Sequence, residues 1–258
     1  VAGKSGAEGG AGIDPMHQFE VQPIIELPTV AGIDTSFTNS SLWMVLAVGL
    51  ASLLMITASR RTAIVPGRMQ LMGEMAYSFV ANMIKENVGT EGMKYFPFIF
   101  SLFMFILFCN MLGMLPYSFT VTSHLIVTFA LAATVFLLIT GVGFARHGIG
   151  FLKLFVPSGI PVVLLPLLVV IEVISYLTRP VSLSVRLFGN MMAGHTMLKI
   201  FGGFVVGLGS AGLVPLAIAP FALMVAFTGL ELLIAGLQAY VFTILTCIYL
   251  NEAIHMDH

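Results

Sequence analysis

Charge is what this sequence has least of. Only 9% of its 258 residues are Asp, Glu, Lys or Arg, against 58% hydrophobic, and mean hydropathy is +1.02. A water-soluble domain carries roughly 25% charged residues, so there is too little charge to cover a globule of this size. Intrinsic disorder is excluded on the same ground, because it needs low hydrophobicity and high charge. The net charge of −1 provides no basic face, and no nucleic-acid partner is expected. Cysteine is scarce: Cys109 and Cys247 both lie in apolar runs. They have neither the spacing of a disulfide framework nor that of a metal site and read as small apolar fillers. Hydrolase signatures are missing too, with no HExxH helix, no GxSxG elbow and no acid pair on one span. A GKS string at Gly3 to Ser5 lacks the upstream glycine and strand of a phosphate loop. Glu252, His255, Asp257 and His258 are ligand-type residues but read as a hydrophilic terminus, so neither metal nor cofactor is expected.

What the sequence has in abundance is long apolar runs. Residues 1–40 form a polar, Gly- and Pro-containing arm, and 41–258 read as a single all-α membrane domain. Spans are predicted at about 41–58, 97–116, 124–144, 160–201 and 212–250, the first near the minimum length that crosses a bilayer as a helix. Between the first two, Met69, Met72, Met75 or Ala76 and Phe79 recur at helical spacing, which predicts an amphipathic surface helix over about 66–95. Arg60, Arg61, Arg68, Lys85, Lys94, Arg146 and Lys153 fall in the two loops on one side, whereas the arm holds Glu8, Asp14, Glu20, Glu26 and Asp34 beside one lysine. The positive-inside rule then puts the N-terminus in the periplasm or its equivalent and the C-terminus in the cytoplasm.

The last two runs are overlong. A helix of roughly 40 residues is about 60 Å long, twice the roughly 30 Å hydrocarbon core. The expected architecture is three shorter helices, the surface helix, and two overlong, steeply tilted helices forming a hairpin that wraps around something. Pro161, Pro166 and Pro180 are the expected bend points.

The fourth run carries Glu172, Ser175, Arg179, Ser182, Arg186 and Asn190, spaced three, four, three, four and four apart. That places them in one stripe on a helix. Intramembrane ionisable groups are costly and need a wet or protein-lined partner surface. Glu172 and Arg179 are readable as a buried pair or as interface anchors. Arg186 has no acid one turn away, so its partner lies elsewhere. The last run has a sparser stripe of Thr228, Glu231, Gln238 and Tyr249, with Glu252 near the same face. His195 falls half a turn from Arg186, and the hairpin would make His195 and Glu231 neighbours, a pairing suited to proton relay.

The segments RPVSLSVRLFGNMMAGH (Arg179 to His195), LQAYVFTILTCIYL (Leu237 to Leu250) and FCNMLGMLPY (Phe108 to Tyr117) closely resemble the signature of the ATP synthase subunit a family. The resemblance implies a non-catalytic, proton-translocating stator subunit of a bacterial inner membrane or, less readily, a mitochondrial one. Its implied partners are the c-ring subunits, peripheral-stalk b-type subunits, the rest of the ATP synthase and membrane lipid. It makes Arg186 the essential arginine facing the c-ring, with Asn190 and Gln238 near it. It puts His195 and Glu231 in the outer half-channel, and Glu172, Ser175 and Glu252 in the cytoplasmic one. The histidine precedes the acid in this sequence, whereas some members have the reverse order. Two other readings compete with this one. A secondary transporter would favour internal repeats, and none is visible. A scaffold would leave two polar stripes unexplained.

Overall fold

The computed structural model describes residues 21–25, 36–60, 66–115, 118–156 and 164–255. Most of the predicted arm, the GKS string, Pro161 and the last three residues lie outside them. Strand β1 (Pro23–Ile25) pairs antiparallel with β2 (Phe37–Thr38) just before the first helix. Helix α1 (Asn39–Ser59) starts where the Thr38 hydroxyl accepts the Ser41 amide, a side-chain N-cap that satisfies one orphan donor. Only Ser40 and Ala47 of α1 are buried. A helix apolar on every side and so little covered is suited to lipid contact.

Helix α2 (Arg68–Asn87) turns Gly73, Val80, Ala81, Met83 and Ile84 inward. The repeat Met69, Met72, Met75 and Phe79 lies on a largely open face, with Phe79 at its edge packed on Phe103 and Tyr240 at centroid distances of 5.6 and 5.7 Å. The helix is therefore apolar on two faces, one packed on the bundle and one open. It ends at Asn87 and gives way to a 3-10 turn at Thr90–Tyr95, short of the single helix predicted to residue 95. Helix α3 (Phe96–Gly113) follows with Pro97 in its first turn, where a missing N–H costs nothing. Helix α4 comes next (Leu125–His147).

The long pair is longer than the sequence suggested. Helix α5 (Leu165–Ser210) has 46 residues and α6 (Val214–Ile254) has 41, about 69 and 62 Å at 1.5 Å per residue. Helix α5 runs on through most of the glycine-rich segment expected to separate the two. Glycine weakens a helix in water by about 1 kcal/mol, but in hydrocarbon every backbone group must be paired, which favours continuing the helix. The turn between the pair is reduced to Ala211–Leu213, where Gly212 takes φ +75°, open to glycine without a Cβ penalty. Pro166 sits in the first turn of α5 and Pro180 inside it; α6 carries an internal proline that was not singled out, Pro220. Among the described residues, five helices are long and apolar enough to cross a membrane.

Helix α5 packs most extensively on α6 and next on α4, and α3 packs on α6. The core between them includes Ile99, Ile106, Val135, Leu187, Phe242 and Leu250. On α5 the inward stripe is Tyr176, Leu183, Leu187, Met191 and His195. The adjacent face carries Ser175, Ser182, Arg186 and Asn190, all exposed. One helix thus has a packed side and an open polar side.

Candidate functional site

Three polar groupings lie along the α5–α6 hairpin. The first is the open face of α5. Arg186 is exposed, and among the described residues no side chain forms a hydrogen bond or ion pair with it. One turn further, the Asn190 amide donates to Gln238 Oε1 at 2.9 Å, tying the edge of this face to α6. Gln238 is otherwise buried, and its Nε2 has no partner among the described residues. Toward the start of α5, Glu172 is half-buried and Ser175 exposed on the same side.

The second grouping is centred on Arg179. Its guanidinium is ion-paired and hydrogen-bonded to Glu252. It also lies over two aromatic rings, 5.2 Å from the centroid of Tyr176 and 4.7 Å from that of Tyr249, a cation–π arrangement. The Tyr176 hydroxyl is 2.7 Å from Thr140 Oγ1 on α4. Of the two readings left open for Arg179, this is the interface anchor, and its acid is Glu252 rather than Glu172. Nearby, Arg146 pairs with Glu91 at 2.6 Å and His147 Nε2 meets the Ile254 carbonyl at 3.2 Å. Among the described residues no group of three or more His, Cys, Asp or Glu could hold a metal ion.

The third grouping is inside the bundle. His195 Nδ1 lies 3.1 Å from Glu231 Oε1, with both residues buried. The carboxylate oxygens accept no hydrogen bond among the described residues, so the pair is at ion-pair distance without a formed hydrogen bond. Glu231 reaches this position because the residue opposite it on α5 is Gly194. A Cβ there would fall 2.7 Å from Glu231 Oε1 and 2.9 Å from its Cδ. The half-turn between Arg186 and His195 is thus realised directly: one faces out and the other in. Thr228, expected on the Glu231 stripe, points outward and bonds to its own helix at Met224 O, 2.9 Å.

Sequence reasoning missed the third wall of this grouping. The connection between α3 and α4 folds inward, burying Phe119, Thr120, Val121, Thr122 and Ser123. Thr120 Oγ1 sits 2.9 Å from His195 Nε2. Thr122 donates to Asn110 Oδ1 at 2.9 Å, and Asn110 Nδ2 donates to the Ala235 carbonyl at 3.2 Å. The available signal was Asn110, a lone amide in an apolar span and costly to bury unless bonded. At the end of this connection, His124 stacks on Phe119 with ring centroids 5.0 Å apart.

An all-helical bundle with, among the described residues, five helices of membrane-crossing length, an inward acid–histidine pair and an outward arginine defines an all-α membrane protein. Comparison with known proteins narrows the class. A family model described as ATP synthase A chain matches residues 41–251. Proteins named ATP synthase subunit a are similar over nearly the whole length. That of Parvibaculum lavamentivorans is 58% identical over 98% of this chain and 99% of its own. That of Pelagibacter ubique is 58% identical over 95% and 99%, and that of Rhodospirillum rubrum 57% over 94% and 98%. This chain belongs to the ATP synthase A chain family.

Proposed function

We propose that the chain is the proton-translocating stator subunit of a bacterial F-type ATP synthase, working without catalytic residues of its own. The observation that carries this reading is Arg186, a permanent cation on the open face of α5 with no partner among the described residues. Arginine stays protonated under working conditions and so cannot relay a proton. It can pair with an arriving carboxylate and favour its ionised form. The matching partner is a ring of c subunits, each presenting one carboxyl that is neutral in lipid, where its charged form would cost too much. The lengths of α5 and α6 suit a slanted hairpin against such a ring, since upright helices would overshoot the bilayer.

Protons enter from the periplasmic side past His195 and Glu231 and are delivered to the ring near Asn190 and Gln238. They leave past Glu172 and Ser175, with the Arg179–Glu252 pair bordering the cytoplasmic exit. Arg186 stands between the two paths and blocks a direct hop by charge repulsion. The driving energy is about 2.3 kcal/mol per charge per 100 mV, plus the pH gradient. Peripheral-stalk subunits would hold the chain against ring torque, and α1 with the outer face of α2 would meet lipid or those subunits. The N-terminus is assigned to the periplasm and the C-terminus to the cytoplasm. Cysteines placed singly at Ser182, Arg186 and Asn190 should form disulfides with cysteines on the c subunit, whereas one at Leu187 should not. Equal crosslinking from both faces, or none from the first, would sink the assignment.

A further inference from the structure

On the α6 side, His195 Nδ1 faces Glu231 Oε1 at 3.1 Å. The other nitrogen is taken by a residue outside the hairpin. Thr120 Oγ1 lies 2.9 Å from Nε2, and both residues are buried. The same hydroxyl lies 3.4 Å from the Gly113 carbonyl oxygen. Ser118 Oγ also reaches that carbonyl at 3.0 Å, but its single hydrogen is shared with the Leu115 carbonyl at 2.7 Å. A hydroxyl offers one hydrogen and two lone pairs. Turned toward Gly113, Thr120 accepts from a protonated Nε2. Turned toward His195, it donates to an unprotonated one. Either way Nε2 keeps a partner and the ring does not need to turn.

Resting on the proton-path reading, we infer that Thr120 is a positioning residue for proton transfer: its hydroxyl holds the His195 ring with Nδ1 toward Glu231 through both protonation states of Nε2. A ring nitrogen's partner decides what the other nitrogen can do, and transfer between His195 and Glu231 requires Nδ1 to stay at the carboxyl. The two walls are built independently. Gly194 admits Glu231 from the α6 side. The hydrogen bonds through Asn110 and Thr122 fix the α3–α4 connection that carries Thr120. Buried polar groups are kept bonded because an orphaned one is expensive, so removing the Thr120 hydroxyl should release the ring and not simply leave it in place.

The test uses the whole ATP synthase in sealed vesicles, with proton-driven ATP synthesis and ATP-driven pumping as readouts. Thr120→Val, which keeps the shape and removes the hydroxyl, should slow both about tenfold. Thr120→Ser, which restores the hydroxyl, should stay within about twofold of the parent. In complex carrying 15N-labelled histidine, the His195 Nε2 resonance should move in the valine variant and not in the serine variant. Unchanged transport or an unmoved Nε2 in Thr120→Val overturns the inference, as does a serine variant as slow as the valine one, which would make packing the cause. If the valine variant fails to assemble, Thr120→Ala is compared with Thr120→Ser on the same criteria. Arg186→Ala, assayed alongside, separates the two levels. Transport lost in Arg186→Ala but untouched in Thr120→Val removes only the Thr120 role. Transport retained in Arg186→Ala removes the proton-path reading and this inference with it.

Discussion

Helix α5 carries two arginines two turns apart on one face, and they are treated in opposite ways. Arg179 is bonded to Glu252 and covered by Tyr176 and Tyr249. Arg186 is exposed and unpaired among the described residues. The same side chain is thus used once to fasten α5 to α6 and once as an open charge. Intramembrane cost alone does not distinguish the two, since an arginine in either place is expensive. What differs is the compensation: inside the chain for Arg179 and, on the function proposed above, from another molecule for Arg186.

That contrast can be broken by experiment. The largest effect is expected from Arg186→Ala, which should abolish proton-driven ATP synthesis in vesicles while leaving the thermal midpoint of the detergent-solubilised complex unchanged, because no bond within the chain is lost. A lower midpoint would mean that Arg186, too, is an anchor. Arg179→Met should do the reverse. It strands the Glu252 carboxylate and should lower subunit stability by about 1–2 kcal/mol, at the modest end because Glu252 is partly exposed. Most of that should return in Arg179→Met/Glu252→Gln, read by the same melting assay.

Smaller effects test how far the open face depends on the inner relay. Gly194→Ala places a Cβ against the Glu231 carboxyl and should slow transport several-fold by displacing that carboxyl from His195. Cysteine crosslinking from Ser182 to the ring should not change in that variant. Asn190→Ala removes the bond to Gln238 at the margin of the face and should cost least, roughly two- to fivefold in pumping rate. A loss in Asn190→Ala as complete as in Arg186→Ala would show that the two act as one unit.

Much of this arrangement was legible in the sequence, and the boundary has a physical basis. The membrane-length helices, the overlong pair and the α5 stripe follow from hydrophobicity and the 3.6-residue period. The isolation of Arg186 follows from the lack of an acid within a turn. The partner of Arg179 was not legible, because Glu252 lies 73 residues away on another helix and only helix packing decides which acid arrives. The open face of Met69, Met72, Met75 and Phe79 fits the amphipathic surface helix that their spacing predicts. In lipid an apolar stripe does not have to face the core, so periodicity gives the face but not its direction. Thr120 and Gly194 escaped notice because a threonine in a connection and a glycine in a helix are ordinary until a neighbour is known to press against them.

The unbroken course of α5 to Ser210 and the short turn at Ala211–Leu213 make the hairpin intolerant of changes in length. His195 meets Glu231 and Asn190 meets Gln238 across the same pair of helices. One residue added between the His195–Glu231 pair and the turn would rotate a partner by about 100° and slide it 1.5 Å, spoiling both matches together. Point substitutions can adjust the chemistry of this hairpin singly, but its register is common to both pairs and admits insertion or deletion only where a compensating change occurs on the opposite strand of the hairpin.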